Sequence, residues 1–338
     1  MKWKRAGVGA ALALAMLAVS IGAYNAVGLL RGARASVERP SSSLVSLPGT
    51  LYLAQDGAIY RLRDGSFKQI TSDAGWAQPA VSPDGKRLVA VKRSINSSDL
   101  YLLDASGNVV AQVTHNGARR ADLSHWAFYP HFSADGSAVF YSYDPKDPYN
   151  SYRVDLAIFS RSAGQPSVEA TRWTLPDQYT GGDSDPIPLQ GALIFTRYSI
   201  DEQSQVHSQV WLQAGRGSPG VALTAPGDDC AQPAVSRDER RLAMICRHGD
   251  LRSSDLEVAS LDLNSASIGT PTSLAKGELI ASPAFSPDDR SVAFLAPAPP
   301  GGPFQLWTVP ASPQASSPRQ ITQNLGFDSS SAPVWVAP

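Results

Sequence analysis

The chain has 338 residues, of which 43% are hydrophobic and 17% charged, and its formal net charge at pH 7 is -1. This composition is typical of a globular chain that buries one large core or two smaller ones. A near-neutral chain without a basic patch does not neutralise several phosphates, so we exclude nucleic acid as a partner.

The N-terminal segment differs from the rest of the chain. A basic N-terminus, residues 1–5, precedes an uncharged and mostly apolar run over residues 6–30. At about 1.5 Å per residue this run crosses a hydrocarbon core of about 30 Å, so we predict one transmembrane helix that acts as a signal anchor. We expect the basic N-terminus to stay in the cytoplasm and the rest of the chain to lie outside the cell membrane. The alternative is a signal peptide cleaved after Ala35, which would release a secreted protein.

Residues 31–50 are predicted to be a linker between this helix and the remainder of the chain. They carry Pro40, Pro48 and several serines without hydrophobic periodicity. Such a composition favours a short flexible tether.

An internal repeat covers residues 51–338. Each unit contains a proline at the start of a short apolar strand, a turn such as Ser82-Pro83-Asp84-Gly85, and a second apolar strand. The prolines are 51, 56, 47, 50 and 50 residues apart, and this period is typical of propeller blades, since helical repeats are shorter. The repeat prolines are Pro79, Pro130, Pro186, Pro233, Pro283 and Pro333.

Each unit predicts four antiparallel strands. In the turn, proline presets φ, aspartate bonds back to the backbone and glycine supplies a positive φ, so the chain reverses there. A third strand follows, and a fourth ends near a threonine or its equivalent, which together make one blade. The residues at that end are Thr114, Thr174, Thr224, Leu274 and Thr322.

The two ends of the repeat region predict one shared blade. Leu51 to Ala54, Ala58 to Leu62 and Phe67 to Thr71 match the second, third and fourth strands of a blade, and Pro333 to Val336 matches the missing first strand. We therefore predict an all-β, six-bladed propeller that leaves no open sheet edge. A β-sandwich is the alternative, although sandwiches do not repeat one turn string at a fixed interval.

The turns at Ser82, Ser133, Ser236 and Ser286 resemble the repeats of TolB-like periplasmic propellers, also called WD40-like repeats. The resemblance covers residues 51–338 and implies a propeller at the cell envelope, as in the Tol-Pal system. Two departures stand against it: residues 36–50 are too short for the α/β domain that precedes the propeller in TolB, and the third unit reads Pro188-Leu189-Gln190-Gly191. The turn motif forms blades and touches no ligand, so it carries no partner across.

Similar repeats also form the propellers of prolyl oligopeptidase-like enzymes, whose chemistry lies in an attached α/β-hydrolase domain. The sequence contains neither a G-x-S-x-G elbow nor an H-E-x-x-H motif, and its five histidines are scattered over separate blades. We therefore predict that the protein is not an enzyme. The alternative is an enzyme that uses carboxylates at the channel mouth as acid and base.

Acidic residues fall in the segments before the repeat prolines, where the loops converge on the channel mouth. Asp183, Asp185, Asp228 and Asp229 are the group that we predict to bind a small ligand, with calcium or another cation as the candidate; no other cofactor is expected. The alternative is that these aspartates are solvated turn residues. The full set of acidic residues is Asp73, Asp122, Asp183, Asp185, Asp228, Asp229, Glu278 and Asp328.

Aromatic residues cluster around the loops of the first two complete units. We predict that His125 and Trp126 contribute to a binding site, because rigid rings often anchor partners. The alternative is that the rings pack within or between blades. The cluster consists of Trp76, His125, Trp126, Tyr129, Tyr143, Tyr149 and Tyr152.

The two cysteines predict a disulfide. If Val235 faces Arg241 across the turn, the same pairing places Cys230 opposite Cys246. Outside the cytoplasm such a pair oxidises, provided that the Cα atoms are about 4.4–6.8 Å apart. Two buried thiols are the alternative.

These observations predict a membrane-anchored extracytoplasmic propeller that acts as a protein-interaction or envelope-assembly module. Its partners would be other envelope or extracellular proteins, with the membrane contacted through the N-terminal helix. The alternative is a sensor or receptor that binds a carbohydrate, a peptide or a cation at the channel mouth.

Overall fold

The computed structural model of the protein describes residues 47–146, 154–165, 168–176, 179–249, 253–312 and 317–337. The predicted helix over residues 6–30 and most of the predicted linker lie outside these ranges. Within them, no helix is long and apolar enough to cross a membrane. The described residues form twenty-five strands and two short 3-10 helices, Ala121–Leu123 and Pro226–Asp228. The strands are β1 (Thr50–Gln55), β2 (Ala58–Arg63), β3 (Ser66–Gln69), β4 (Trp76–Val81), β5 (Arg87–Arg93), β6 (Ser98–Asp104), β7 (Val109–Gln112), β8 (Ala127–Phe132), β9 (Ala138–Tyr143), β10 (Ala157–Ser162), β11 (Thr171–Arg172), β12 (Asp183–Pro188), β13 (Leu193–Ile200), β14 (Val206–Gln213), β15 (Gly220–Ala222), β16 (Ala231–Val235), β17 (Arg241–Cys246), β18 (Ser254–Asp262), β19 (Ser267–Ile268), β20 (Thr272–Gly277), β21 (Ala281–Phe285), β22 (Ser291–Pro297), β23 (Phe304–Pro310), β24 (Arg319–Gln320) and β25 (Val334–Val336).

The strands form six antiparallel sheets, one for each predicted blade, so the all-β six-bladed propeller is confirmed. In blade 1, β1 pairs with β25 in the register Leu51↔Trp335 and Tyr52↔Val334. The blades are blade 1 (β25, β1, β2, β3), blade 2 (β4 to β7), blade 3 (β8 to β11), blade 4 (β12 to β15), blade 5 (β16 to β20) and blade 6 (β21 to β24).

The turn between the first two strands of a blade is held as the sequence predicts. In blade 2, the Ser82 hydroxyl donates to Asp84 Oδ1 at 2.6 Å, and the amide of Arg87 donates to the Ser82 hydroxyl at 3.0 Å. Gly85 has a φ of 70°, which a residue with a side chain adopts only at a cost. Blade 4 lacks this motif, and there the amide of Leu189 bonds to the carbonyl of Ala192 at 2.9 Å.

The inner strand of each complete unit carries a β-bulge at its repeat proline. The pairing shifts by one residue there, for example between Ala77 and Ala80, so the inner strand is not the regular strand that the sequence predicts. The residue before each proline has a left-handed φ, which costs energy for a residue other than glycine. These residues are Gln78 (49°), Tyr129 (52°), Asp185 (52°), Gln232 (52°) and Ser282 (57°).

In five blades, a buried threonine lies just beyond the end of the outer strand. Its hydroxyl oxygen accepts a hydrogen bond from an amide of the neighbouring strand, as in Thr114 with Leu100 at 2.9 Å. Blade 5 has Leu274 at this position, and its outer edge is divided between β19 and β20, which both pair with β18. The five threonines are Thr71, Thr114, Thr174, Thr224 and Thr322.

The hydrophobic core lies between the blades. Each of six buried clusters combines residues from two neighbouring blades, so packing of one sheet face on the next supplies the burial that orders the fold. Residues that share a cluster include Tyr52 and Leu88 (blades 1 and 2), Val91 and Val139 (2 and 3), Ile158 and Phe195 (3 and 4), Ile194 and Leu242 (4 and 5), Val258 and Phe294 (5 and 6), and Leu295 and Leu53 (6 and 1).

Candidate functional site

The predicted site residues lie at one end of the propeller, which we call the mouth face. It comprises the loops before each inner strand and the loops between the second and third strands. Because successive antiparallel strands reverse direction, these two sets of loops meet at the same end of every blade.

A small cavity lies where the inner strands converge on the channel. Its volume is about 40 Å³, which is room for a few water molecules or one small ion. Four of the five bulge residues that precede repeat prolines line it, Tyr129 among them. The lining residues include Tyr129, Asp185, Gln232, Ser282, Ser330 and Ala332.

Asp185 places a half-buried carboxyl group on the wall of this cavity. Loss of solvent raises its pKa to about 6, although hydrogen bonds from Ser184 and Thr196 act in the opposite direction. The Ser184 hydroxyl donates to Asp185 Oδ2 at 2.7 Å. Burial also raises the pKa of Tyr129, and the nearby charge of Asp185 adds to that shift. The Asp185 carboxyl group therefore exchanges its proton in the mildly acidic range and, when ionised, offers oxygen ligands to a cation.

Asp183 is fully buried and bound to Arg197. The guanidinium donates to both carboxylate oxygens, from Nε at 2.7 Å and from Nη2 at 2.9 Å. Arg197 also lies over the rings of Phe195 and Trp211, with its Cζ 5.2 and 4.7 Å from the ring centroids. The Asp183 carboxylate therefore stabilises blade 4 through its ion pair with Arg197.

Asp229 binds His207, for which the sequence predicts no role. His207 Nδ1 is 3.1 Å from Asp229 Oδ1, and its Nε2 is 2.9 Å from Asp201 Oδ2. The pKa of His207 is raised, first by the hydrogen bond with Asp201 and then by Asp229.

Asp228 faces a second histidine held between two acidic side chains. His248 Nε2 is 2.8 Å from Glu257 Oε1, and its Nδ1 is 3.5 Å from Asp228 Oδ1. The pKa of His248 is raised, mainly by the hydrogen bond with Glu257.

Each of the four predicted aspartates therefore has its own surroundings, and the structure does not gather them around one point. The calcium site stays a prediction.

Most of the remaining acidic residues of the mouth face are paired. Asp73 binds Lys92 and accepts a hydrogen bond of 2.7 Å from Trp76 Nε1. Asp122 pairs with Arg120, and Asp328 lies 3.3 Å from an Arg93 nitrogen. Glu278 is exposed. These ion pairs make the mouth face less negative than the count of carboxylates suggests.

Half-buried rings form an aromatic patch beside the cavity. Trp126 stacks on Phe128 with centroids 5.9 Å apart, and Phe128 lies 6.1 Å from Tyr129, which lines the cavity. His125 stacks on Tyr143 at 5.3 Å. We call Trp126, Phe128 and Tyr129, which these contacts join, the aromatic patch, whereas His125 and Tyr143 form a separate stacked pair.

The other predicted aromatic residues are not in the patch. Trp76 is 2% exposed and belongs to the core between blades 1 and 2. Tyr149 and Tyr152 lie outside the described residues. Phe128 was not among the predicted site residues; the signal in the sequence was its position two residues after Trp126, at the start of an alternating strand.

The predicted disulfide between Cys230 and Cys246 is confirmed, although the Cα atoms are 4.1 Å apart, slightly closer than the range expected from the sequence. The strand register differs near the turn, where Val235 pairs with Leu242 instead of Arg241. The bulge after Ala231 shifts the pairing by one residue, so Ala231 faces Ile245 and the cysteines just beyond them meet. The register at the turn and the bulge each shift the pairing by one residue, in opposite directions, so the predicted pairing of the two cysteines is still correct.

No protein-family model and no curated protein match the sequence. Among solved structures, TolB from Acinetobacter baumannii is 20% identical with a TM-score of 0.63, and the match covers 86% of this chain and 67% of that one. A nidogen/laminin complex is 11% identical with a TM-score of 0.58, over 85% of this chain and 98% of that one. A puromycin hydrolase is 14% identical with a TM-score of 0.53, over 80% and 42%. The TolB-like propeller fold is thus confirmed, and since a hydrolase shares it, the fold alone assigns no function.

Proposed function

We propose that the protein is a membrane-anchored, extracytoplasmic protein-interaction module whose partner docks on the aromatic patch. The apolar segment over residues 6–30 would hold the propeller at the outer side of the cell membrane. Partners would be other envelope or extracellular proteins, and the protein itself would catalyse no reaction.

The observation that carries this proposal is the aromatic patch itself. Its rings are half-buried, so their positions are fixed by packing before a partner arrives and little side-chain entropy is lost on binding. Trp and Tyr are enriched among the residues that dominate binding energy at interfaces. The cavity beside Tyr129 offers a recess for one polar group of a partner.

The disulfide supports the proposed location. Disulfides form and persist in oxidising compartments and are rare in the cytoplasm. A covalent link between Cys230 and Cys246 therefore favours export of the propeller.

Site-specific photo-crosslinking tests the docking surface. A photoreactive amino acid replaces Trp126 in the full-length protein, and a control carries it at Tyr60, a half-buried ring on β2 of blade 1. We expect a discrete adduct with an envelope protein from position 126 and none from position 60. Loss of co-purification of that protein in Trp126→Ala would confirm the contact. Identical adducts from both positions would contradict the proposal.

The cavity at Asp185 favours a second candidate function, the binding of a cation. A half-buried carboxylate in a cavity of this size offers oxygen ligands in a fixed geometry. If calcium binds there, it should raise the Tm of the wild-type protein and not that of Asp185→Asn. An equal rise in both proteins would exclude Asp185 as a ligand.

A further inference from the structure

A second cavity, of about 440 Å³, lies at the junction of blades 4 and 5 and shares no lining residue with the aromatic patch. One wall is formed by strands β17 and β18 and by the residues that follow β17. Sulfur, nitrogen and oxygen atoms that bind metals meet at this wall. The lining residues include Asp228, Cys230, Met244, His248 and Glu257.

Two side chains of this wall, His248 and Glu257, form a compact ligand group with the buried Cys246 of β17. One candidate ligand atom each from Cys246, His248 and Glu257 lie within 4.8 Å of one another. His248 Nε2 and Glu257 Oε1 are 2.8 Å apart. In a tetrahedral zinc site with bonds of about 2.0–2.3 Å, the ligand atoms are about 3.6 Å apart, so small side-chain shifts would suffice.

Strand pairing explains why these residues meet. Cys246 and Asp255 are opposite each other on β17 and β18, and Glu257 is two residues further along β18 on the same face. His248 follows Cys246 by two residues, just after β17 ends. The sheet therefore fixes the sulfur and the carboxylate, while His248, whose side chain is 45% exposed, leaves a path for an ion to enter.

A metal-binding histidine usually donates its second ring N–H to a carboxylate or a carbonyl, and Asp228 faces that nitrogen of His248. Asp228 Oδ1 lies 3.5 Å from His248 Nδ1, the nitrogen that does not face Glu257. A carboxylate at that nitrogen holds the imidazole in the tautomer that leaves Nε2 free to bind a metal.

We propose that reduction of the Cys230–Cys246 disulfide turns this wall into a Zn²⁺ site with Cys246, His248 and Glu257 as ligands. A dithiol supplies two electrons and two protons, the S–S bond breaks to give two thiols, and the dithiol becomes a disulfide. The Cys246 thiol then loses its proton to solvent and the thiolate binds the ion, with water as the fourth ligand. In the oxidised protein Cys246 has no charge to offer, so the site is incomplete.

This inference does not depend on the proposed docking function, and it distinguishes the two cysteines. Cys246 belongs to the ligand group and Cys230 does not. In the full-length protein in detergent, Cys230→Ser keeps the ligand as a free thiol and Cys246→Ser removes it, while both variants lose the same disulfide.

Calorimetry at neutral pH measures the difference. We expect Cys230→Ser to bind one Zn²⁺ per chain without reductant, and Cys246→Ser to bind it at least about tenfold more weakly. Cobalt should give a thiolate-to-metal charge-transfer band in Cys230→Ser alone. Adding His248→Ala to Cys230→Ser should remove zinc binding, whereas adding His207→Ala should leave it unchanged, because His207 also lies between two carboxylates but has no sulfur beside it.

The wild-type protein provides a measurement that does not require either serine variant to fold. A water-soluble phosphine, which is oxidised to its oxide, reduces the disulfide, and Zn²⁺ should then raise the Tm of the reduced protein more than that of the oxidised one. Equal zinc affinity in the two serine variants would overturn the proposal, as would a Tm of the reduced wild type that does not respond to zinc.

Discussion

The side-chain oxygen of Gln78 accepts a hydrogen bond of 2.8 Å from the backbone amide of Tyr129, the corresponding bulge residue of the next blade. Gln232 makes the same contact with the amide of Ser282, also at 2.8 Å. In both pairs, a side chain from one blade satisfies an amide that the bulge has turned away from its own sheet. At these two places the left-handed backbone before the proline therefore links neighbouring inner strands at the channel wall.

Replacement of Gln78 should show what this link contributes. Gln78→Leu keeps a side chain of similar size but leaves the Tyr129 amide without its acceptor, which we expect to lower the free energy of unfolding by about 1–3 kcal/mol. Urea denaturation measures the change. Gln203→Leu, at an exposed turn, serves as control and should change stability by at most about 0.5 kcal/mol. Equal stability of Gln78→Leu and the wild type would contradict this role.

The number of blades could be predicted from the sequence because the repeat prolines and their turns recur at nearly constant intervals. The bulges could not, since Gln78, Tyr129 and Gln232 are not residue types that mark a left-handed backbone. The hydrogen bond that compensates Tyr129 comes from a side chain 51 residues earlier, and no local pattern reports such a contact.

The candidate site was predictable only in part. Acidic loops before the inner strands were visible, but the side chains that pair with them, Arg197, His207 and His248, lie in other segments. Spacing along the chain does not encode these pairings, because each depends on how the loops fold over the blade ends. His125 and Trp126 were found because rings are concentrated before β8.

The ion pair between Arg197 and Asp183 predicts a large effect of a single substitution. Arg197→Met would leave the fully buried Asp183 carboxylate unpaired, and we expect a loss of about 3–5 kcal/mol in the free energy of unfolding. Addition of Asp183→Asn to the Arg197→Met variant should restore much of the lost stability, because it removes the unpaired negative charge. Arg63→Met is the control: its partner Asp64 is 81% exposed, so the loss should stay below about 1 kcal/mol. Similar losses in both single variants, measured by chemical denaturation, would argue against this explanation.

The disulfide should stabilise the propeller by restricting the unfolded chain. It joins residues 16 positions apart, and a loop of that length corresponds to about 3 kcal/mol. Reductant should therefore lower the Tm of the wild type, and it should leave the Tm of the double variant Cys230→Ser, Cys246→Ser unchanged. Mass spectrometry after alkylation reports the state of the cysteines. A Tm independent of reductant in a protein shown to be reduced would refute the prediction.

Asp185 predicts a pH dependence of stability. Its pKa is raised by desolvation to about 6 in the folded protein, against an ordinary value of 3.8. Between these two pH values the unfolded chain has released a proton that the folded chain still holds, so unfolding becomes more favourable as the pH rises. This loss of stability is absent well below pH 3.8 and complete well above about pH 6. Asp185→Asn keeps a hydrogen-bonding side chain and should stabilise the protein at pH 7 by at most about 3 kcal/mol.

The gain in Asp185→Asn should therefore shrink as the pH falls from 7 to 4, which denaturation curves at several pH values measure. Asp135 offers a control of opposite sign, because hydrogen bonds from Ser133 and Ser137 lower its pKa to about 2. Asp135→Asn should destabilise the protein at neutral pH, and its effect should fade only in strong acid. If both variants change stability in the same direction at neutral pH, desolvation of Asp185 is not what sets its pKa. If the gain in Asp185→Asn disappears on addition of calcium, the ionised carboxylate is stabilised by a bound cation, as expected for a ligand in the channel cavity.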